Sequence, residues 1–194
     1  MKVLWITNTI FPAPSKELGL PGPVVGGWMY SLAGHLVANS KIKLAVATVY
    51  QGNDIKILDL DDIRYYLLPC RVSSSYQKHL EPMWLKICKE FSPDVIHIHG
   101  TEYPYGLACM RACQSQNYVI SIQGLVSICA RYYYAGMTVN DILKNITFRD
   151  ILRWDTIFHA KRKFVARGMF EEEYVKRTKH VRSEEHTSEL QSQR

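Results

Sequence analysis

The chain has 194 residues, of which 47% are hydrophobic and 22% charged, and a formal net charge of +6. This composition excludes a disordered or fibrous chain and is long enough for one α/β domain with a full core. No apolar run reaches the roughly 18 residues of a membrane-spanning helix, and Lys2 leads straight into a short apolar segment with no small-residue cleavage site, so the expectation is a cytoplasmic protein.

The charge is unevenly spread. The terminal segment RSEEHTSELQSQR, Arg182 to Arg194, sets two arginines against Glu184, Glu185 and Glu189, which leaves residues 1–181 with 22 basic and 15 acidic side chains, a charge of +7. Such an excess suits an anionic partner. The segment has no apolar periodicity and resembles a translated sequencing adapter. Residues 182–194 are therefore expected to be a non-native tail, and the natural chain is expected to continue past Val181.

The elements follow in alternation. KVLWITN is a short apolar strand, and the loop after it carries Pro12, Pro14, Pro21 and Pro23, which predict no regular structure there. A helix is predicted from about Gly27 to Ala38, with Met29, Leu32, Ala33, Leu36 and Val37 on one face. IKLAVATVY and IRYYLLP read as strands, and the polar QGNDIKILDLDD between them leaves room for a short edge strand. A helix from about His79 to Phe91, ended by Pro93, precedes the strand DVIHIHG. EYPYGLACMRACQSQ supplies another helix and YVISIQG a fifth strand.

Strands alternating with helices predict a parallel sheet, because each crossover needs a helix to return the chain to the same edge. The expected fold class is α/β, a Rossmann-like parallel sheet with helices on both faces, followed by extra helices. Beyond Gly124 the pattern gives helices and no strand: one begins at Asp141, Ile142, Asn145 and Ile146. Ile151, Leu152, Trp154, Ile157 and Phe158, interleaved with Arg149, Arg153, Lys161, Arg162 and Lys163, form an amphipathic stretch.

The five cysteines, Cys70, Cys88, Cys109, Cys113 and Cys129, are an odd set with no C-x-x-C pair. They read as reduced thiols packed as small hydrophobes, although Cys109 and Cys113 are spaced to share a helix face.

In a doubly wound sheet, ligands bind at the carboxyl ends of the strands, and three stretches fall at that rim. Gly26 and Gly27 precede a helix whose free N–H groups and positive dipole end could meet a phosphate, or they could simply permit a tight turn. The pattern is not G-x-G-x-x-G, so no nicotinamide cofactor is expected. His97 and His99 share one face of their strand. His99, just before Gly100, is placed at the rim, where it could donate to a phosphate or sugar hydroxyl or exchange a proton near neutral pH, and His97 is placed deeper as a structural residue. The pair lacks further ligands at metal-site spacing, so no metal is expected. Gln123 and Gly124 close the next strand; a Gln amide suits a polyhydroxylated ligand, and an ordinary turn is the alternative.

MKVLWITNTIFP, GGWMYSLAGHL, SPDVIHIHG and SIQGLVS, in this order, resemble the N-terminal domain of GT-B glycosyltransferases of the retaining family 4 type, and EEEYVKRTKHV is similar to that family's approach to the domain junction. The resemblance covers residues 1–181. It implies one Rossmann-like half of a two-domain enzyme that transfers a sugar from a nucleotide-sugar to a glycan or lipid-linked acceptor, usually without metal or other cofactor. Gly26 and Gly27 would then approach the donor diphosphate or an acceptor phosphate, His99 would sit beside the transferred sugar, and Gln123 and Gly124 would line the acceptor side. The donor-binding second domain of that family has no counterpart in this sequence, so the chain alone is expected to be inactive.

For the basic stretch from Arg149 to Lys163, contact with an anionic membrane and a solvated helix face are both open readings. A nucleic-acid partner is not expected, because the basic residues lack exposed aromatics interleaved on one element. A stand-alone Rossmann-like module that binds a sugar phosphate or nucleotide without chemistry is the alternative function.

Overall fold

The computed structural model describes residues 1–71, 73, 75–178 and 180–183, the last four by backbone alone. Seven strands form one sheet: β1 (Lys2–Ile6), β2 (Lys43–Tyr50), β3 (Lys56–Leu60), β4 (Ile63–Pro69), β5 (Val95–His99), β6 (Tyr118–Ile122) and β7 (His180–Ser183). Their order is β3-β4-β2-β1-β5-β6-β7, and every pairing is parallel except β3 with β4. That exception is a hairpin closed by Asp61 and Asp62, both at positive φ (52° and 59°), as a two-residue turn matching the strand twist requires.

The helices are α1 (Pro12–Glu17), α2 (Gly27–Asn39), α3 (Glu81–Phe91), α4 (Tyr105–Ala112), α5 (Val126–Arg131), α6 (Val139–Asn145), α7 (Phe148–Leu152) and α8 (Ile157–Arg177). The architecture is α/β and Rossmann-like. Alternation along each strand divides the core between the two sheet faces. Leu4, Ile6, Ala45, Ala47, Ile96, Ile98 and Ile120 face α3 and α4, where Trp84, Ile87, Leu107 and Cys109 fill the interior. Val3, Trp5, Leu44, Val46 and Tyr65 face the other way, under Phe11, Met29 and Ala33. Of the apolar face predicted for α2, Met29 and Ala33 are buried, Leu36 and Val37 pack partly, and Leu32 is exposed.

The prolines do not exclude a helix. Pro12 and Pro14 lie in the first turn of α1, where the missing N–H groups would have had no intrahelical acceptor and the fixed φ is already helical. The region beyond Gly124 also contains a strand: β7 runs parallel to β6, with Val119 opposite His180 and Ile122 opposite Ser183. It includes Arg182 and Ser183, the first residues of the tail segment; residues 184–194 lie outside those described.

The basic amphipathic stretch spans two helices. Thr147 and Asp150 cap α7 reciprocally, and Thr156 caps α8 by accepting from the His159 N–H, so the chain is interrupted between them. α8 then folds back on the domain. The buried Tyr174 hydroxyl accepts from Leu107 N at 2.7 Å and donates to Tyr103 O at 2.8 Å. Gly168 lets α8 meet α5, since a Cβ there would stand 2.9 Å from the Ser127 Cα. Among the described residues, no helix is long and apolar enough to cross a membrane.

Candidate functional site

The chain leaves β1 toward β2 on one side, and the sheet continues to β5 on the other. The carboxyl ends of β1 and β5 therefore diverge at a topological switch point, where an open α/β sheet forms its crevice. The rim is fixed by the backbone: Thr7 N donates to Ala47 O at 3.0 Å, Gly100 N donates to Ser121 O at 2.8 Å, and Thr48 Oγ1 donates to Thr7 O at 2.8 Å. Between these ends and the start of α2 lies a cleft of about 470 Å³.

Gly26, His99 and Gln123 line this cleft together, and Asn8, Trp28, Glu102 and Tyr103 join them. Gly27 is the first residue of α2 and adjoins the lining. Gly124 follows Gln123 but is not part of the lining, and nothing stands within 4 Å of where its Cβ would be. A broader groove of about 820 Å³ opens near Lys2, Lys43, Asp62 and Glu90. It lies at the amino-terminal edge of the strands, away from the switch point.

The two glycines have different work. Gly26 sits at φ 89° in the cap position of α2, a conformation that costs a side-chain-bearing residue on the order of 1 kcal/mol. A Cβ there would also stand 2.8 Å from Met29 Cε. Gly27 has nothing within 4 Å of a Cβ; its absent side chain leaves space at the helix start. No side chain caps α2 and no acidic residue occupies its first turn. The positive end of this thirteen-residue helix is thus not neutralised by a side chain of its own first turn. The Tyr30 hydroxyl donates to Val25 O at 2.5 Å, which holds the approach to this turn.

His99 is 2% exposed, with ring centroids of His97 at 3.9 Å, Trp5 at 4.6 Å and Trp28 at 5.6 Å. Burial, reinforced by His97, pulls its pKa down to about 3. The imidazole is therefore neutral near pH 7, and the expected proton exchange at that pH gives way to hydrogen bonding by a neutral ring. His97, two residues back from the rim, is only half-buried, its Nε2 2.8 Å from Ser121 Oγ. A strand pointing both rings the same way does not reveal that Trp28 covers His99 and leaves His97 at the margin.

One acidic residue, Glu102, also lines the cleft. Asn8 Nδ2 donates to Glu102 Oε2 at 2.7 Å. Burial raises the Glu102 pKa, and the Glu171 carboxylate adds repulsion. Arg167 lies over the Tyr103 ring, 4.8 Å from its centroid. Asn8 closes the first strand's motif and Glu102 follows the His-bearing strand by three residues, so the available signal was position at a strand end. Trp28 was hidden within the glycine stretch, where it reads as one more apolar helix residue.

No family model matches the chain, and no curated protein matches it. Among solved structures it is similar to sucrose-phosphate synthase from Thermosynechococcus elongatus, with a TM-score of 0.43 and 12% identity over 74% of this chain. The match covers 39% of that protein, so the chain spans well under half its length. At this identity nothing about activity transfers from one to the other.

Proposed function

We propose that the chain is the acceptor-side half of a retaining GT-B glycosyltransferase of the family 4 type. The observation that carries the reading is the cleft at the switch point, where the open start of α2, His99 and Gln123 converge. Each part suits a phosphorylated sugar. The start of α2 at Gly26 and Gly27 offers positive potential where a diphosphate accumulates charge as the glycosidic bond breaks. Trp28 and Tyr103 line the cleft beside the neutral His99, and the exposed Gln123 can exchange hydrogen bonds with sugar hydroxyls.

In this reading the nucleotide-sugar is held mainly by a second, facing domain. The chemistry asks for no metal or organic cofactor. The expected site is the cytoplasmic face of an anionic membrane carrying a lipid-linked acceptor. Supporting this are Phe148 and Trp154, 74% and 72% exposed, on either side of Arg149 and Arg153, with Lys161, Arg162 and Lys163 at the start of α8. Sedimentation with anionic vesicles at low salt, but not with neutral vesicles, is the expected behaviour; no sedimentation with either ends the membrane part of the proposal.

Reading intact template DNA through the codon for Val181 and onward tests the enzyme assignment. A frame that opens into a second βαβ domain with paired acidic residues supports it. A natural stop near residue 194 overturns it in favour of a binding module that does no chemistry.

A further inference from the structure

We infer that Cys88, Cys109 and Cys113 form a trithiol site that captures a soft trivalent ion, with arsenic(III) as the type ligand. α3 supplies Cys88, α4 supplies Cys109, and Cys113 caps the end of α4. The three sulfurs all lie within 4.8 Å of one another. One ion bound to three sulfurs at about 2.3 Å needs them roughly 3.5–4 Å apart, a small contraction from the observed spacing. The sequence shows only the Cys109 and Cys113 pair; packing of α3 against α4 adds the third thiol.

The surroundings favour preorganisation. The Tyr118 hydroxyl lies 3.8 Å from Cys109 Sγ and donates to Cys113 O at 2.8 Å, which fixes the end of α4 where the third ligand hangs. Cys88 and Cys113 keep 7% and 6% exposure while Cys109 has none, so a ligand would meet the two marginal sulfurs first and the deep one last.

Charge decides the class of ion. Around the three sulfurs lie one another, the Tyr118 hydroxyl and the apolar core, none of them a cation. Three thiolates around a monovalent or divalent soft ion would leave net negative charge in that core, which is costly without a buried cation. A trivalent ion gives a neutral complex. In the balanced step, arsenous acid and three thiols form three As–S bonds, three As–O and three S–H bonds break, and three waters leave. Arsenic stays trivalent and nothing is oxidised. The product staples α3 to α4 on the sheet face opposite His99, so the site is independent of the cleft and of its proposed function.

The test is native mass spectrometry of the reduced full-length chain incubated with arsenite. The expected adduct carries one arsenic and has lost three hydrogens, with a rise in Tm and a new near-ultraviolet As–S absorption. It persists in Cys70→Ser and Cys129→Ser chains and vanishes in Cys109→Ala and Cys113→Ser chains. No adduct, loss of only two hydrogens, or an adduct that survives Cys109→Ala overturns the inference. Should Cys109→Ala fail to fold, the hydrogen count on the unaltered chain still decides.

Discussion

Asn8 and Glu102, 94 positions apart, are joined by a 2.7 Å hydrogen bond that ties the rim after β1 to the rim after β5. Gly100 lies beneath it at φ 89°, and a Cβ there would overlap the Glu102 carboxylate and come within 2.8 Å of Asn8 Nδ2. Gly100→Ala is therefore expected to lose about 1–3 kcal/mol of stability from backbone strain and the displaced pair. Urea unfolding checks this; a midpoint equal to that of the parent chain would show that the rim adapts freely.

The adjacent glycines separate by the same reasoning. Gly26→Ala places a side chain at φ 89° against Met29 and should cost about 1–2 kcal/mol. Gly27→Ala meets nothing within 4 Å and should leave the melting temperature unchanged or raise it slightly, since Ala restricts the unfolded chain more than Gly. Equal destabilisation by the two substitutions would contradict the distinction between turn and opening.

His99 sets an acid limit on stability. Its folded pKa, about 3, lies below the ordinary 6.5, so the unfolded chain binds the proton more readily. The contribution is whole above pH 6.5 and is lost as pH falls from there toward 3, on the order of a few kcal/mol at the acid end. His99→Gln should flatten the fall in stability between pH 6.5 and 4. An unchanged slope would assign the acid sensitivity to other groups.

Glu171 anchors α8 to the start of α5. Its carboxylate, 3% exposed, accepts from Val126 N at 2.7 Å and Ser127 N at 3.2 Å. Glu171→Ala leaves those buried donors without their acceptor and should cost about 1–3 kcal/mol. Hydrogen exchange should quicken in α5 and α8 while β1 and β5 keep their protection. Uniform loss of protection, or none, would contradict a local anchor.

The alternation of apolar strands and amphipathic helices made the parallel sheet legible, because both periods are written in neighbouring residues. The rim positions of Gly26, His99 and Gln123 followed from it. What escaped depends on contacts distant in sequence. Glu102 gains meaning only beside Asn8, and Cys88 only where α3 meets Cys109. β7 was illegible because HVRS carries little apolar signal and is a strand through its pairing with β6. The helix at Pro12 is not legible in the sequence because proline signals a break in a helix interior but is tolerated in the first turn.

The central claim is that the switch-point cleft holds a phosphorylated sugar. Amide chemical-shift mapping of the isotope-labelled chain, titrated with a nucleoside diphosphate sugar and with a glycosyl phosphate, tests it most directly. The account predicts saturable shifts confined to Gly26 through Met29, His99 through Glu102, and Gln123. Shifts absent at high ligand concentration, or centred instead on the groove by Lys2 and Asp62, would contradict it.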